Sequence, residues 1–211
     1  ISMVQILSDV FAGAESDLAV YLDLNCGMNR TGIAPGPDAL AIYKAIGDAP
    51  GLVADGLHAY DGHNHEQDLV SRTSKCESDF KPVLDFRKQL EEAGMEVPSL
   101  IVSGTPTFSI HSCYTDRQCS PGTTVLWDFG YNDGLPDLPF EYAAVLLTRV
   151  VSKPGANRVC LDLGHKAVAA DKPQPRVRLF DMESADFLVH SEEHLTVETN
   201  NADSLSVGDC C

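Results

Sequence analysis

A chain of 211 residues, 44% hydrophobic and 22% charged, is long enough to bury a core and has the balance of a folded protein, which excludes general disorder. Its formal net charge of -16, from 31 acidic against 15 basic side chains, opposes nucleic-acid backbone and anionic membrane as partners, and the cations are dispersed rather than gathered in a patch. No apolar run reaches the roughly 18–20 residues that span a bilayer, and no basic-then-apolar leader opens the chain, so the cytoplasm is the expected setting.

Residues 1–17 carry Met3, Ile6, Leu7, Val10 and Phe11 at the spacing of one buried helical face. Residues 18–24 form an apolar, β-favouring run that reads as a core strand, followed by the loop Asn25-Cys-Gly-Met-Asn-Arg-Thr-Gly32. A helix is expected over 37–48, with Pro37 in its first turn and Leu40, Ile42, Tyr43 and Ile46 largely inward. A second strand over 52–60 runs into the polar cluster His58-Ala-Tyr-Asp-Gly-His-Asn-His65. Residues 66–93 read as a long helix with a kink at Pro82 and a stop at Gly94. Residues 98–102 read as a third strand entering Ser103-Gly-Thr-Pro-Thr107, and 124–129 as a fourth, preceded by Ser120-Pro-Gly-Thr123.

Strand, polar loop, helix, strand in repetition is the pattern of parallel β/α units, whose ligand sites lie on the loops at the C-terminal strand ends. Near Glu141 the character changes to β-rich pieces over 143–152, 158–163, 176–180 and 195–198. The expected organisation is therefore an α/β domain over 1–140 and a β-domain over 141–211. Ile1 falls in mid-helix and Cys210-Cys211 stops just past a strand and turn, so both ends read as cuts. The seven cysteines, odd in number and scattered, are expected as reduced thiols.

The 103–107 and 120–123 loops offer hydroxyls and unhindered backbone amides, which suit a phosphate where no metal neutralises it. Each alone reads more readily as an ordinary turn; two on successive strand ends favour a shared phosphate cup. Arg30, on a strand-end loop, suits a carboxylate or a ring heteroatom, or else pairs with a surface acid. His58, His63 and His65 with Tyr60 and Asp61 form the densest titratable cluster, suited to proton transfer or to stacking beside a cofactor and poorly matched to zinc spacing. Tyr131 reads as a core aromatic, and His165, Lys166, His190 and His194 as structural turn and strand-end residues.

The ordered set Asn25-Cys-Gly-Met-Asn-Arg-Thr-Gly, Val102-Ser-Gly-Thr-Pro-Thr, Cys119-Ser-Pro-Gly-Thr, Leu126-Trp-Asp-Phe-Gly-Tyr131, Arg149-Val-Val-Ser-Lys-Pro-Gly-Ala-Asn-Arg158, Leu161-Asp-Leu-Gly-His-Lys166 and Ser191-Glu-Glu-His-Leu195 resembles the D-threonine aldolase and D-serine dehydratase family over nearly the whole chain. The resemblance implies a partial (β/α)8 TIM-type barrel of the alanine racemase kind followed by a partial C-terminal β-domain. It implies a pyridoxal 5'-phosphate cofactor, with Arg30 beside its ring, His58 and His65 lining the ring pocket, and Gly104, Thr105, Gly122 and Thr123 on its phosphate. The implied activity is a lyase on D-3-hydroxy amino acids, by aldol-type cleavage or loss of the β-hydroxyl. The resemblance implies a Schiff-base lysine near the start of the barrel, upstream of Ile1; Lys44, Lys75, Lys81 and Lys88 all lie on expected helices. The family's divalent metal (Mn, Mg or Zn) has its ligands beyond Cys211. Two other readings stand beside the lyase: a noncatalytic pyridoxal-phosphate module, and a racemase-type isomerase. A small D-amino acid is the expected partner, with a homodimer in solution.

Overall fold

Three apolar runs and a two-residue strand pair in parallel in the order in which they occur: β1 (Leu18–Leu24), β2 (Leu52–Ala59), β3 (Ser99–Val102) and β4 (Gln118–Cys119). The computed structural model describes residues 1–180, 182 and 184–211, in two compact units, Ile1–Glu141 and Tyr142–Cys211.

Helix α1 (Ser2–Gly13) precedes β1, α2 (Pro37–Asp48) joins β1 to β2, and α3 (Leu69–Glu92) joins β2 to β3. The two-residue period of the strands decides which face these helices cover. Register sets Leu22 beside Leu57 and Leu100, and Leu24 beside Ala59 and Val102. These six meet Ala39 and Tyr43 of α2 and Phe80, Val83, Phe86 and Leu90 of α3 in one core, where each large apolar side chain contributes about 1.5–3 kcal/mol by leaving water. On the opposite face, register aligns Asp23, His58 and Ile101, and Tyr21 donates to Asp55. The helices therefore close one face of the sheet and leave the other with polar side chains. At Gly56 (φ +145°) a Cβ would lie 2.0 Å from the Ser99 carbonyl, so only glycine lets β2 approach β3 there.

Helix α3 begins at Asp68, whose carboxylate accepts from the Ser71 amide at 2.8 Å, and runs in one piece through Pro82 to a left-handed Gly94 (φ +79°). Two short helices follow, α4 (Phe108–His111) and α5 (Phe129–Gly134).

In the second unit β5 (Val150–Gly155), β6 (Arg158–Leu161), β7 (Asp186–His190) and β8 (Leu195–Glu198) form an antiparallel sheet in the order β5-β6-β8-β7. The β5–β6 turn places Asn157 at φ +57°, a conformation asparagine tolerates. Val150, Val159, Leu161, Leu195 and Val197 point into its core together with Val177, Leu179 and Met182.

Three expectations are corrected here. Residues 124–129 are not the fourth strand: that strand is β4, just before the 120–123 loop, and 123–125 is a 3-10 turn. Residues 176–180 form no strand; their alternation reports the burial of Val177 and Leu179, while the ladder position is filled by β7. In α1, Met3, Ile6 and Val10 are exposed (61%, 56% and 59%) rather than buried, and the buried contact runs through Ser8, whose hydroxyl donates to the Pro50 carbonyl at 2.7 Å.

Candidate functional site

The loops that follow β1, β2, β3 and β4 converge, and Tyr60 is the side chain at their centre. Arg30, from the loop after β1, lies over the Tyr60 ring at 4.7 Å, and the Cys26 thiol donates to the Tyr60 carbonyl at 3.4 Å. A Cβ on Gly104 would come within 3.0 Å of the Tyr60 ring, so glycine there lets the turn after β3 lie against it. Gly27 plays the same part for His63, whose ring would be 2.5 Å from a Cβ.

The two hydroxyl-and-glycine loops are joined directly: the Thr123 amide donates to Thr105 Oγ1 at 3.1 Å. Among the described residues the amides of Thr105 and Gly122 make no hydrogen bond, and a Cβ at Gly122 would meet nothing within 4 Å. Unpaired amides beside hydroxyls, with open space at a glycine, fit a phosphate in the donor set they offer. Gly104 contributes differently from expectation, because its amide donates to Asp61 Oδ1 at 2.9 Å and its role is to let the ring of Tyr60 approach.

His58 ends β2 on the polar face, with Nδ1 2.6 Å from Asp23 Oδ1. A carboxylate only accepts, so Nδ1 carries the hydrogen and Nε2 is left as the basic atom. His65 is exposed and, among the described residues, makes no hydrogen bond or ring contact with Tyr60 or the two hydroxyl loops, whereas its near neighbour His63 pairs with Asp79 of α3 at 2.9 Å. Tyr131 stacks on Trp127 with ring centroids 5.7 Å apart, and burial, followed by the charge of Tyr60, raises its hydroxyl pKa. Burial pushes the Cys26 thiol up to about 12, which keeps it protonated near neutrality. Lys44 lies on α2, and Lys75, Lys81 and Lys88 on α3, none of them at a strand end.

Behind the 103–107 turn sits a constellation that reading along the chain did not assemble. Asp61 is 1% exposed and its Oδ1 accepts from Thr107 Oγ1 at 2.6 Å as well as from the Gly104 amide. Its Oδ2 lies 2.9 Å from His111 Nε2 and 3.5 Å from Cys76 Sγ. On the far side of the imidazole, Arg117 Nη1 donates to His111 Nδ1 at 3.0 Å. Burial alone would raise the Asp61 carboxyl, but hydrogen bonds from His111, Thr107 and Gly104 outweigh it and hold the group below its ordinary value. Burial and the Asp61 charge push the Cys76 thiol far up. The only signal for this in the sequence was that Tyr60 and Asp61 belong to the dense polar cluster; nothing local marked His111 or Arg117 as their partners.

Asp61, Cys76 and His111 are the one group of three metal-type ligands among the described residues, with their donor atoms within 4.8 Å of one another. They do not fit a cation. Arginine is only a donor, so His111 Nδ1 must accept and Nε2 must carry the hydrogen, which leaves neither ring nitrogen free for an ion.

No helix among the described residues is long and apolar enough to cross a membrane. Comparison with known proteins finds similarity to proteins named as aldolases of D-amino acids. It is 29% identical over 172 residues to D-threonine aldolase of Arthrobacter sp, covering 80% of this chain and 45% of that one. It is 26% identical over 207 residues to 3-hydroxy-D-aspartate aldolase of Paracoccus denitrificans (strain Pd 1222), covering 92% and 53%. The crystal structure of D-threonine aldolase from Filomicrobium marinum superposes with a TM-score of 0.87 at 26% identity, over 98% of this chain and 56% of that one. The chain thus spans about half the length of the relatives it matches. The parallel α/β sheet and the separate antiparallel sheet correspond to part of an alanine-racemase-like barrel and a β-domain. Residues 143–211 match the putative serine dehydratase domain, and through residues 2–127 the chain belongs to the alanine racemase N-terminal domain family.

Proposed function

We propose that this chain carries the phosphate-binding side of a pyridoxal 5'-phosphate site and acts in a lyase on D-3-hydroxy amino acids, by carbon–carbon cleavage or by loss of the 3-hydroxyl. The observation that carries the reading is the joining of the 103–107 and 120–123 loops through Thr123 and Thr105, with the Thr105 and Gly122 amides unpaired beside them. Thr105, Gly122 and Thr123 would hold the phosphate. Arg30 and Tyr60 would flank the ring, the guanidinium supplying fixed donors to a ring heteroatom. When bound, the cofactor withdraws electrons from the bonds at the substrate Cα. His58, its Nδ1 tied to Asp23, can take or release a proton at Nε2 on the polar face of the sheet. The substrate class follows the similarity to D-threonine and 3-hydroxy-D-aspartate aldolases, and the serine dehydratase domain matched by the second unit.

A second reading is a pyridoxal-phosphate-binding module without catalysis, since the joined loops account for holding the cofactor without assigning a reaction. A homodimer belongs to the proposal, with Val145, Leu146 and Leu147, each more than half exposed, as apolar surface; sedimentation reads it. A cytoplasmic setting fits the seven free thiols.

Titration of the full chain with pyridoxal 5'-phosphate, followed by visible absorbance, borohydride reduction and peptide mapping, tests these readings. Saturable binding is the expected result, and turnover of D-threonine or 3-hydroxy-D-aspartate is expected only once a segment that supplies the Schiff-base lysine is joined to the chain. Binding without turnover even then would favour the module, and no binding would overturn both.

A further inference from the structure

We infer that Asp61 is the positioning residue of the 103–107 turn, with His111 and Arg117 behind it deciding which atoms it faces. The inference rests on the reading of that turn as phosphate-binding. The turn needs a hold from outside itself, because Ser103 sits at φ +73°, where a side chain other than glycine is strained. Asp61 supplies that hold at two points, the Gly104 amide and the Thr107 hydroxyl, both on Oδ1. Thr105 lies between them, and its hydroxyl in turn holds the Thr123 amide of the neighbouring loop. Fixing Gly104 and Thr107 therefore fixes both walls of the proposed cup.

The residues behind Asp61 make this a carboxylate position rather than an amide one. All four groups that reach it are donors: the Gly104 amide, the Thr107 hydroxyl, His111 Nε2 and the Cys76 thiol. An asparagine would turn its NH2 toward donors on one side and leave them unpaired. Arg117 obliges His111 to present Nε2–H by donating to Nδ1, and Arg117 itself lies 3.8 Å over the Tyr114 ring and 4.8 Å over the Phe80 ring. The Asp61 charge is thus balanced by Arg117 through a neutral imidazole, in a pocket where an unmatched charge would be costly. The hydrogens that satisfy Asp61 are the ones a metal ion would have to displace, so the cluster works by holding the loop and not by binding a cation.

Four variants of the full chain, Asp61→Asn, His111→Gln, His111→Leu and Thr107→Val, test this, each titrated with pyridoxal 5'-phosphate and with pyridoxal. In Asp61→Asn and His111→Leu the preference for the phosphorylated compound should fall about tenfold, the scale of a lost charge-assisted hydrogen bond, while pyridoxal binding holds. His111→Gln should keep the preference, since its amide N–H can face Asp61 and its oxygen can face Arg117. An unchanged preference in Asp61→Asn, or an equal loss for both compounds, would overturn the inference. Should circular dichroism find Asp61→Asn unfolded, Thr107→Val, which removes a single donor, decides in the same way: a smaller loss supports the inference and none overturns it. If the unsubstituted chain binds neither compound, the functional reading fails. Hydrogen exchange at the Gly104 amide then decides the positioning role alone: protected in the unsubstituted chain and His111→Gln and lost in Asp61→Asn if it holds, equally protected in all three if it does not. Titration with cobalt(II) completes the test, because a thiolate-to-metal band abolished by Cys76→Ser would overturn the metal-free assignment.

Discussion

The two units bury different things. In the first, Ser8, Asp61, Asn64, Arg72, Ser103, Thr105, Thr107 and His111 are all buried polar residues, and among the described residues of the second only Thr148 and Thr199 are. The second unit's core is a layer of Val, Leu and Met beneath an antiparallel sheet, held by burial and by its ladder. The first has an equally apolar layer between sheet and helices, but it adds a charged, hydrogen-bonded layer under the loops at its strand ends. Burying a polar group costs stability unless it is hydrogen-bonded, and the buried Asn64 amide makes no side-chain hydrogen bond among the described residues. The gathering of Asp61, Asn64, Ser103, Thr105, Thr107 and His111 after the strand ends therefore marks where the sequence accepts a cost to stability in order to shape loops.

The sharpest way to break this contrast is at Arg72, which is fully buried, donates to the Glu66 carbonyl at 2.6 Å and pairs with Asp137. Arg72→Met leaves Asp137 without its partner and should cost roughly 3–5 kcal/mol of first-unit stability in urea unfolding. A loss below about 1 kcal/mol would mean that the polar layer is not what holds these loops. Leu161→Ala, at a fully buried position of β6, should cost roughly 2–5 kcal/mol by transfer and cavity terms while leaving pyridoxal-phosphate affinity unchanged. A fall in affinity would show that the second unit's core also shapes the cup.

The smallest effects are on the pH axis, and they separate the units by range. The folded value of Asp61 lies below its ordinary one, so its contribution is complete above about pH 4 and is lost as pH falls through the folded value. Asp61→Asn should therefore lose less stability than the unsubstituted chain as pH falls below about 4. In the second unit, burial lowers the His190 value. The unfolded chain then binds the proton more readily, so stability falls as pH drops below about 6.5, and His190→Gln should flatten that limb. Equal slopes for variant and unsubstituted chain in either range would remove the group concerned from the account.

Much of the fold could be read along the chain because its signals are local. The apolar run of β1, the Pro37 start of α2, the Gly94 stop of α3 and the alternation in β6 and β8 each report burial or a backbone turn within a few residues. The misreadings arose where burial and pairing part company. Val177 and Leu179 alternate like a strand and are buried, yet the ladder partner of β8 is β7, whose Leu188 and Val189 are exposed. Residues 124–129 are rich in β-favouring side chains, but the pairing edge of β3 is taken by the two residues of β4. Local composition cannot report which segment reaches an edge first.

The sequence by itself determined the alternation of β/α units, the change to a β-rich region near Glu141, and the hydroxyl and glycine chemistry of the 103–107 and 120–123 loops. Those properties depend on side-chain type and short spacing alone. Only the tertiary structure decided that Thr123 bonds Thr105, that Arg30 covers Tyr60, and that Asp61 faces His111, 50 residues away, with Arg117 fixing its tautomer. Such pairings depend on strand order and register, which bring strand-end loops together across the full breadth of the sheet and leave no trace in the spacing of any one segment.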